Sequence, residues 1–297
     1  MDGHELIMDS RGSGPACVAG GRSPTDSRLL ERHDPIKSFR EWGWKSTLGA
    51  MEEAQLRASL VELARSTPYG TDKSDAYLDS YEELLARVRD DEVRVLELGI
   101  HRGGSLRLWR DYFPRGVIAG LDLKVPVLED PERIRMFEGR QDDAALLARI
   151  RADVAPDGFD VIIDDCSHVG ELTARSFGHL FAKHLKPGGI YAIEDWGTGY
   201  WGWWPDGTSY HPGGDRGTMG LRTRLRGRAG RIADRVLGPV PLRSHQSGMV
   251  GFVKQLVDEC GRPDFERANE GSGQGAASSI ARLIVRTGLV IVVKTHE

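Results

Sequence analysis

Through the middle of the chain the hydrophobic and polar positions alternate between two patterns. Short, nearly continuous apolar runs occupy Val93–Ile100, Val117–Leu123, Arg133–Glu138, Asp160–Asp165 and Ile190–Asp195. Such runs predict strands buried on both faces, because a strand exposed on one face would show strict alternation instead. Between them, Ser105–Tyr112, Ala144–Ile150 and Glu171–His184 carry apolar residues at helical spacing. Strands interleaved with helices predict an α/β, doubly wound, mostly parallel sheet, and right-handed crossovers bring the carboxyl ends of its strands to one side. The pattern ends differently. Met249, Phe252, Val253, Leu256, Val257 and Cys260 lie on one face of a further helix, after which Ile280–Arg286 and Leu289–Lys294 flank Thr287-Gly288 as an antiparallel hairpin. A dinucleotide-binding sheet would add a parallel sixth strand here.

Outside this block the text is less regular. Residues 1–34 are rich in Gly, Ser, Pro, Asp and Arg with no sustained apolar period, and are read as a mobile tail. Residues 35–90 predict a helical N-terminal cap, with a turn-rich loop at Ser66–Lys73 and a helix through Tyr77, Tyr81, Leu84, Leu85 and Val88. The remaining domain, 91–297, is interrupted at about 197–245 by a Trp-rich and then Arg-rich insertion between glycines, read as a lid over a substrate. Indoles from Trp196 to Trp204 suit the apolar faces of sugar rings. The arginines are read as a solvated lid helix in preference to a nucleic-acid surface.

Composition narrows the function classes. The 297 residues, 39% hydrophobic, can bury a full core. No apolar run approaches the ~20 residues that span a bilayer and no basic-then-apolar leader opens the chain, which predicts no membrane association and a cytoplasmic location. Cys17, Cys166 and Cys260 are too few and too scattered for a disulfide framework or a zinc site. A net charge of −4 offers no global attraction to nucleic acid.

The candidate chemistry lies at the strand ends, where open α/β sheets bind ligands. Two strands end in paired acids, Asp164-Asp165 followed by His168, and Glu194-Asp195. Several carboxylates and an imidazole around one point suit a hard divalent cation and a general base, although paired acids after a strand also serve as caps of the next helix. The first strand ends Glu97-Leu98-Gly99 and runs through a Gly-rich loop to Gly103-Gly104. Gly99 allows close approach of backbone to a ligand, and Glu97 can hold an amino group. Asp122, at the second strand end, is placed for a ribose diol, and Gln141-Asp142 after the third strand for an adenine edge. Together these point to an adenosyl ligand.

With these residues in this order, the chain resembles the class I S-adenosylmethionine methyltransferases, and more narrowly the Mg²⁺-dependent sugar O-methyltransferases of macrolide tailoring. The resemblance rests on Tyr69–Lys73, Glu97–Gly99, Gly104–Trp109, Tyr112–Pro114, Gly120–Asp122, Gly139–Asp143, Ile163–His168 and Ile193–Asp195, and covers about Thr67 to Lys294. It implies a Rossmann-like class I methyltransferase fold, a seven-stranded sheet with a C-terminal antiparallel hairpin strand. It further implies methyl transfer from S-adenosylmethionine to a hydroxyl of a glycoside, oligosaccharide or glycosylated natural product. Asp165, Glu194 and Asp195 are then candidate Mg²⁺ ligands, Asp164 a contact to the cofactor's methionine end, and His168 the base. A catechol-type O-methyltransferase and, further off, an RNA-binding methyltransferase are the alternatives. The expected partner is a small-molecule glycoside, with no nucleic acid and no membrane, in a chain that can form a homo-oligomer.

Overall fold

A computed structural model describes residues 58–127, 132–210, 245–269 and 278–296, all within one compact unit, Leu56–Glu297. The expected tail at 1–34, the first part of the expected cap and nearly all of the Arg-rich insertion lie outside the described residues.

Helices α1 (Leu60–Ser66) and α2 (Asp75–Leu85) precede the sheet. Both start for local reasons: Ser59 and Glu62 form a reciprocal capping box on α1, and the Ser74 side chain accepts from the Tyr77 N–H of α2. The alternating block then gives β1 (Arg94–Leu98), α3 (Gly104–Tyr112), β2 (Val117–Asp122), β3 (Ile134–Glu138), α4 (Ala144–Val154), β4 (Phe159–Asp164), α5 (Gly170–Lys183) and β5 (Leu185–Glu194). After two short 3-10 turns, Trp196–Tyr200 and Asp206–Ser209, come α6 (Gly248–Asn269), β6 (Ile280–Val285) and β7 (Leu289–Lys294).

The sheet order is β3-β2-β1-β4-β5-β7-β6. Strands β1 to β5 are parallel, while β7 runs antiparallel between β5 and β6. The register aligns Leu98 with Leu121 and Asp164, and Asp164 with Ile193, so the acid-bearing ends of β1, β2, β4 and β5 share one edge. Alternation along the strands sorts the core into two layers. Leu96, Leu98, Ile162, Tyr191 and Ile193 pack with α4, α5 and α6 through Leu147, Ile150, Leu180 and Phe252. Val95, Ile118, Val161, Ile163 and Ile291 pack with α1, α2 and α3 through Leu60, Leu78, Tyr81, Leu106 and Trp109. Helices α1 and α2 therefore form part of the main core.

Two elements differ from their sequence-based bounds. Lys186-Pro187-Gly188-Gly189, expected as a turn before a strand, is drawn into β5, which starts at Leu185 and pairs with Phe159 across a register shift. Gly188 makes this possible with φ +72°, its N–H bonded to Thr295 O at 3.1 Å. Helix α6 runs well past Cys260 and contains Pro263. No helix among the described residues is long and apolar enough to cross a membrane.

Candidate functional site

A cleft of about 800 Å³ opens at the shared strand edge, lined by the loop after β1, the Gly70–Ser74 loop and the ends of β2, β4 and β5. Its size falls in the range of small-molecule sites. Three non-glycine residues among those described have positive φ, His101 (48°), His168 (49°) and Asp195 (54°), and all three line it. Backbone held in this sparsely populated region is concentrated at working sites, because only over-determined surroundings maintain it.

At one end, Asp165, His168 and Asp195 offer ligand atoms that all lie within 4.8 Å of one another. His168 Nε2 is 3.8 Å from both Asp165 Oδ1 and Asp195 Oδ2. Its Nδ1 is buried without a hydrogen-bond partner among the described residues. The His168 backbone is fixed instead: its carbonyl accepts from the Trp204 indole N–H at 3.0 Å and from Thr198 Oγ1 at 3.2 Å.

Beneath these groups lies a buried polar network that the sequence reading did not foresee. Lys73 Nζ sits 2.7 Å from Glu194 Oε1, 2.9 Å from Asp165 Oδ2 and 3.1 Å from Glu97 Oε1, with its side chain 1% exposed. Burial disfavours the ammonium, but the surrounding carboxylates of Glu194, Glu97 and Asp165 outweigh this and hold its pKa well above the usual lysine range. Tyr81 donates to Glu194 Oε1 at 2.6 Å and Tyr77 to Asp195 Oδ1 at 2.7 Å. Lys73, Tyr77 and Tyr81 are four residues apart, so one side of α2 and its leader delivers three donors to the acids at the sheet edge. The hairpin closes the back of this arrangement, where a Cβ on Gly288 (φ +74°) would collide with the Tyr77 hydroxyl. Three carboxylates around one ammonium leave two negative charges in excess if all are ionised. Burial, first of all, raises the Glu194 pKa, against the pull of Lys73.

At the other end the cleft is shaped mainly by backbone. Asp122 Oδ2 accepts from the N–H groups of Ile100 (2.7 Å) and His101 (3.1 Å), which folds the Gly-rich loop over the end of β2. Gln141 bridges three segments: its Nε2 donates to Asp164 Oδ1 at 3.3 Å and Ser176 Oγ at 3.0 Å, and its Oε1 accepts from Ser167 N at 3.2 Å. Asp142 lines the cleft and is held by Arg140 at 2.9 Å. Asp143 is the cap of α4, its Oδ1 accepting from Ala145 N and Leu146 N at 3.0 Å.

The structure thus brings Asp165, His168, Asp195, Asp122, Gln141, Asp142 and Gly99 to one cleft, with Glu194 on its wall. Glu97 lies below it, fully buried, accepting from Ser105 Oγ at 2.7 Å and engaged by Lys73. At that position Glu97 supports the floor of the cleft through Ser105 and Lys73. Asp164 is also buried, accepting from Tyr191 at 3.0 Å, and burial pushes its carboxyl up to about 7. Gly99 has a packing reason as well as a ligand reason: a Cβ there would strike the Asp165 carbonyl oxygen. Cys166, its thiol pushed up to about 12 by burial and then by Asp164, is unsuited to nucleophilic attack. None of the Trp196–Trp204 indoles lines the cleft itself.

Comparison with known proteins separates the folds that share this sheet order. The MycE methyltransferase of the mycinamycin pathway, solved in complex with Mg and SAH, superposes with a TM-score of 0.59 and 29% identity over 80% of this chain and 55% of that one. The fold is that of a class I methyltransferase. A second MycE structure, which also contains mycinamycin VI, matches this methyltransferase fold with a TM-score of 0.58 and 28% identity, over 90% of this chain and 62% of that one. In sequence, the chain is similar to sugar O-methyltransferases. It is 44% identical over 128 residues to mycinamicin VI 2''-O-methyltransferase of Micromonospora griseorubida, covering 41% of this chain and 31% of that protein. It is 42% identical over 128 residues to demethylmacrocin O-methyltransferase of Streptomyces fradiae, covering 41% and 32%. The matched stretch spans about a third of the length of these curated relatives. No family model matches the chain.

Proposed function

We propose that the protein transfers a methyl group from S-adenosylmethionine to a hydroxyl of a sugar, carried on a glycoside, an oligosaccharide or a glycosylated natural product, with a divalent cation such as Mg²⁺ in the site. The observation that carries this reading is the convergence of Asp165, His168 and Asp195 at one end of the cleft whose other end is built from the Gly-rich loop and Asp122. Similarity to sugar O-methyltransferases supports it.

The residues fit both groups. Hard oxygen donors and an excess of negative charge suit a divalent cation, for which Asp165 and Asp195 are the nearest ligands and Glu194 a third carboxylate on the wall. Asp122, Gln141 and Asp142 suit the adenosyl part, at the strand ends where ribose and base are held in folds of this kind. When bound, the cation supplies positive charge that orients and acidifies an acceptor hydroxyl, and the cofactor supplies an electrophilic methyl group.

His168 is the base in this reading. A sugar hydroxyl is too weak an acid to react without help, and a neutral imidazole facing two carboxylates can take its proton and be stabilised as imidazolium. Trp204 and Thr198 hold the backbone that aims the ring, and Tyr77 fixes the Asp195 carboxylate. A cytoplasmic location, compatible with the free thiols of Cys166 and Cys260, belongs to the same proposal. So does a homo-oligomer, for which β6 presents the outer edge of the sheet. The test is a mass-read methylation screen with S-adenosylmethionine over monosaccharide glycosides, short oligosaccharides and phenols. Methylated glycosides are expected; methylation of catechols alone would replace the sugar reading with the phenol one.

A further inference from the structure

The indoles of the Trp196–Trp204 segment divide into two kinds. Trp196 donates to Arg286 O at 2.8 Å and Trp204 to His168 O at 3.0 Å, so both are part of the frame. Trp201 and Trp203 have no such bond among the described residues. They stack on each other with ring centroids 4.9 Å apart and planes 23° from parallel, and remain 42% and 73% exposed. Two large aromatic rings left in water side by side represent apolar surface that folding has not used.

The pair is also rigidly mounted. Trp201 N bonds to Thr198 O at 2.9 Å, and its own carbonyl accepts from Trp204 N at 2.9 Å. A Cβ on Gly207 would collide with the Trp201 backbone, so the turn closes on that glycine alone. Asp206 Oδ2 accepts from Gly170 N at 2.7 Å and Met249 N at 2.6 Å, tying the segment to the starts of α5 and α6. A platform fixed in this way binds without paying the cost of ordering a loop. It adjoins the candidate base through one intermediate ring: the His168 and Trp204 centroids are 5.9 Å apart, and those of Trp204 and Trp203 5.7 Å.

We propose that the Trp201–Trp203 pair is a second carbohydrate subsite, taking the C–H face of the pyranose ring next to the one that is methylated. This rests on the sugar-methylation reading of the cleft and makes the acceptor an oligosaccharide in preference to a lone monosaccharide unit. A pyranose suits the site because its C–H face is apolar while its hydroxyls stay in water. The face of a stacked indole turned away from its partner and open to water provides for both, whereas an aliphatic aglycone would gain most from an enclosed groove.

The test uses the full chain with methyl glycosides of glucose, mannose and rhamnose and their 1,4-linked homodisaccharides. Methylation is read by mass, and equilibrium binding by quenching of tryptophan emission. Wild type is compared with Trp201→Ala/Trp203→Ala and with Trp201→Phe/Trp203→Phe, which keeps the π faces, after matching thermal denaturation curves. For any sugar that is methylated, the disaccharide should have roughly tenfold lower KM than the monosaccharide. The alanine pair should lose that preference at the level of KM, and the phenylalanine pair should recover most of it. A disaccharide preference that is absent, or that survives in the alanine pair, overturns the subsite alone. If no sugar is methylated, but disaccharides quench wild type and not the alanine pair, the subsite stands and the methylation reading falls. Absence of both methylation and quenching overturns both.

Discussion

The two ends of the cleft are built in opposite ways. At the acid end, side chains from distant elements hold side chains: Lys73, Tyr77 and Tyr81 reach Asp165, Asp195 and Glu194 from about a hundred residues away in sequence. At the end proposed for the cofactor, Asp122 holds the backbone of the Gly-rich loop after β1, and Asp143 caps the helix that follows it. The first construction concentrates buried charge and fixes individual oxygens. The second shapes a surface. Removing a holder at the acid end should therefore disturb folding and cation binding together, while changes at the cofactor end should touch cofactor affinity alone.

Lys73→Met is the severest way to break this contrast. It removes the ammonium shared by three carboxylates, of which Glu97 and Glu194 are buried, and loss of one partner from a buried cluster costs about 3–5 kcal/mol. Denaturant unfolding should show a destabilisation of that order; a midpoint equal to wild type would mean that the network does not carry charge as described. His168→Ala should act on chemistry alone. Turnover is expected to fall by roughly 10²–10⁴-fold with unchanged unfolding and unchanged S-adenosylmethionine binding, and wild-type turnover across the pH range would remove it as base. Tyr77→Phe sharpens the contrast further, because it deletes only the hydroxyl on Asp195. Loss of an outer partner of a metal ligand typically costs 10–100-fold in cation affinity. Calorimetric titration with Mg²⁺ checks this, and an unchanged affinity would take Asp195 out of the ligand set. The smallest effect belongs to the other end. Asp122→Asn keeps an acceptor for the Ile100 and His101 N–H groups but loses its charge, and about a tenfold weaker S-adenosylmethionine affinity is expected with wild-type Mg²⁺ affinity.

The same contrast explains what could be read from the sequence. The strands, their order of acids and the final hairpin were legible because period and turn chemistry are local: Glu97, Asp122, Asp164-Asp165 and Glu194-Asp195 each close an apolar run. The αL cluster of His101, His168 and Asp195 was not, since only tertiary surroundings hold such residues at positive φ. Nor was the Lys73 network. The Lys73, Tyr77 and Tyr81 spacing of four was visible as the side of a helix, but nothing in it showed that the helix faces the sheet edge. Glu97 was read for a ligand because it ends a strand, yet it points into the protein, where Lys73, Ser105 and Trp109 meet it. Strand-end position predicts nearness to the site, and side-chain direction decides which acids enter it.

The central claim is that Asp165 and Asp195 hold a cation against which a sugar hydroxyl loses its proton to His168. The most direct measurement is the rate of methyl transfer from S-adenosylmethionine to a glycoside acceptor in excess EDTA, before and after Mg²⁺ is restored, in wild type and Asp165→Ala. The account predicts negligible transfer in chelator, full recovery with Mg²⁺ in wild type, and no recovery in the variant while it still binds S-adenosylmethionine. Undiminished transfer in EDTA would contradict it.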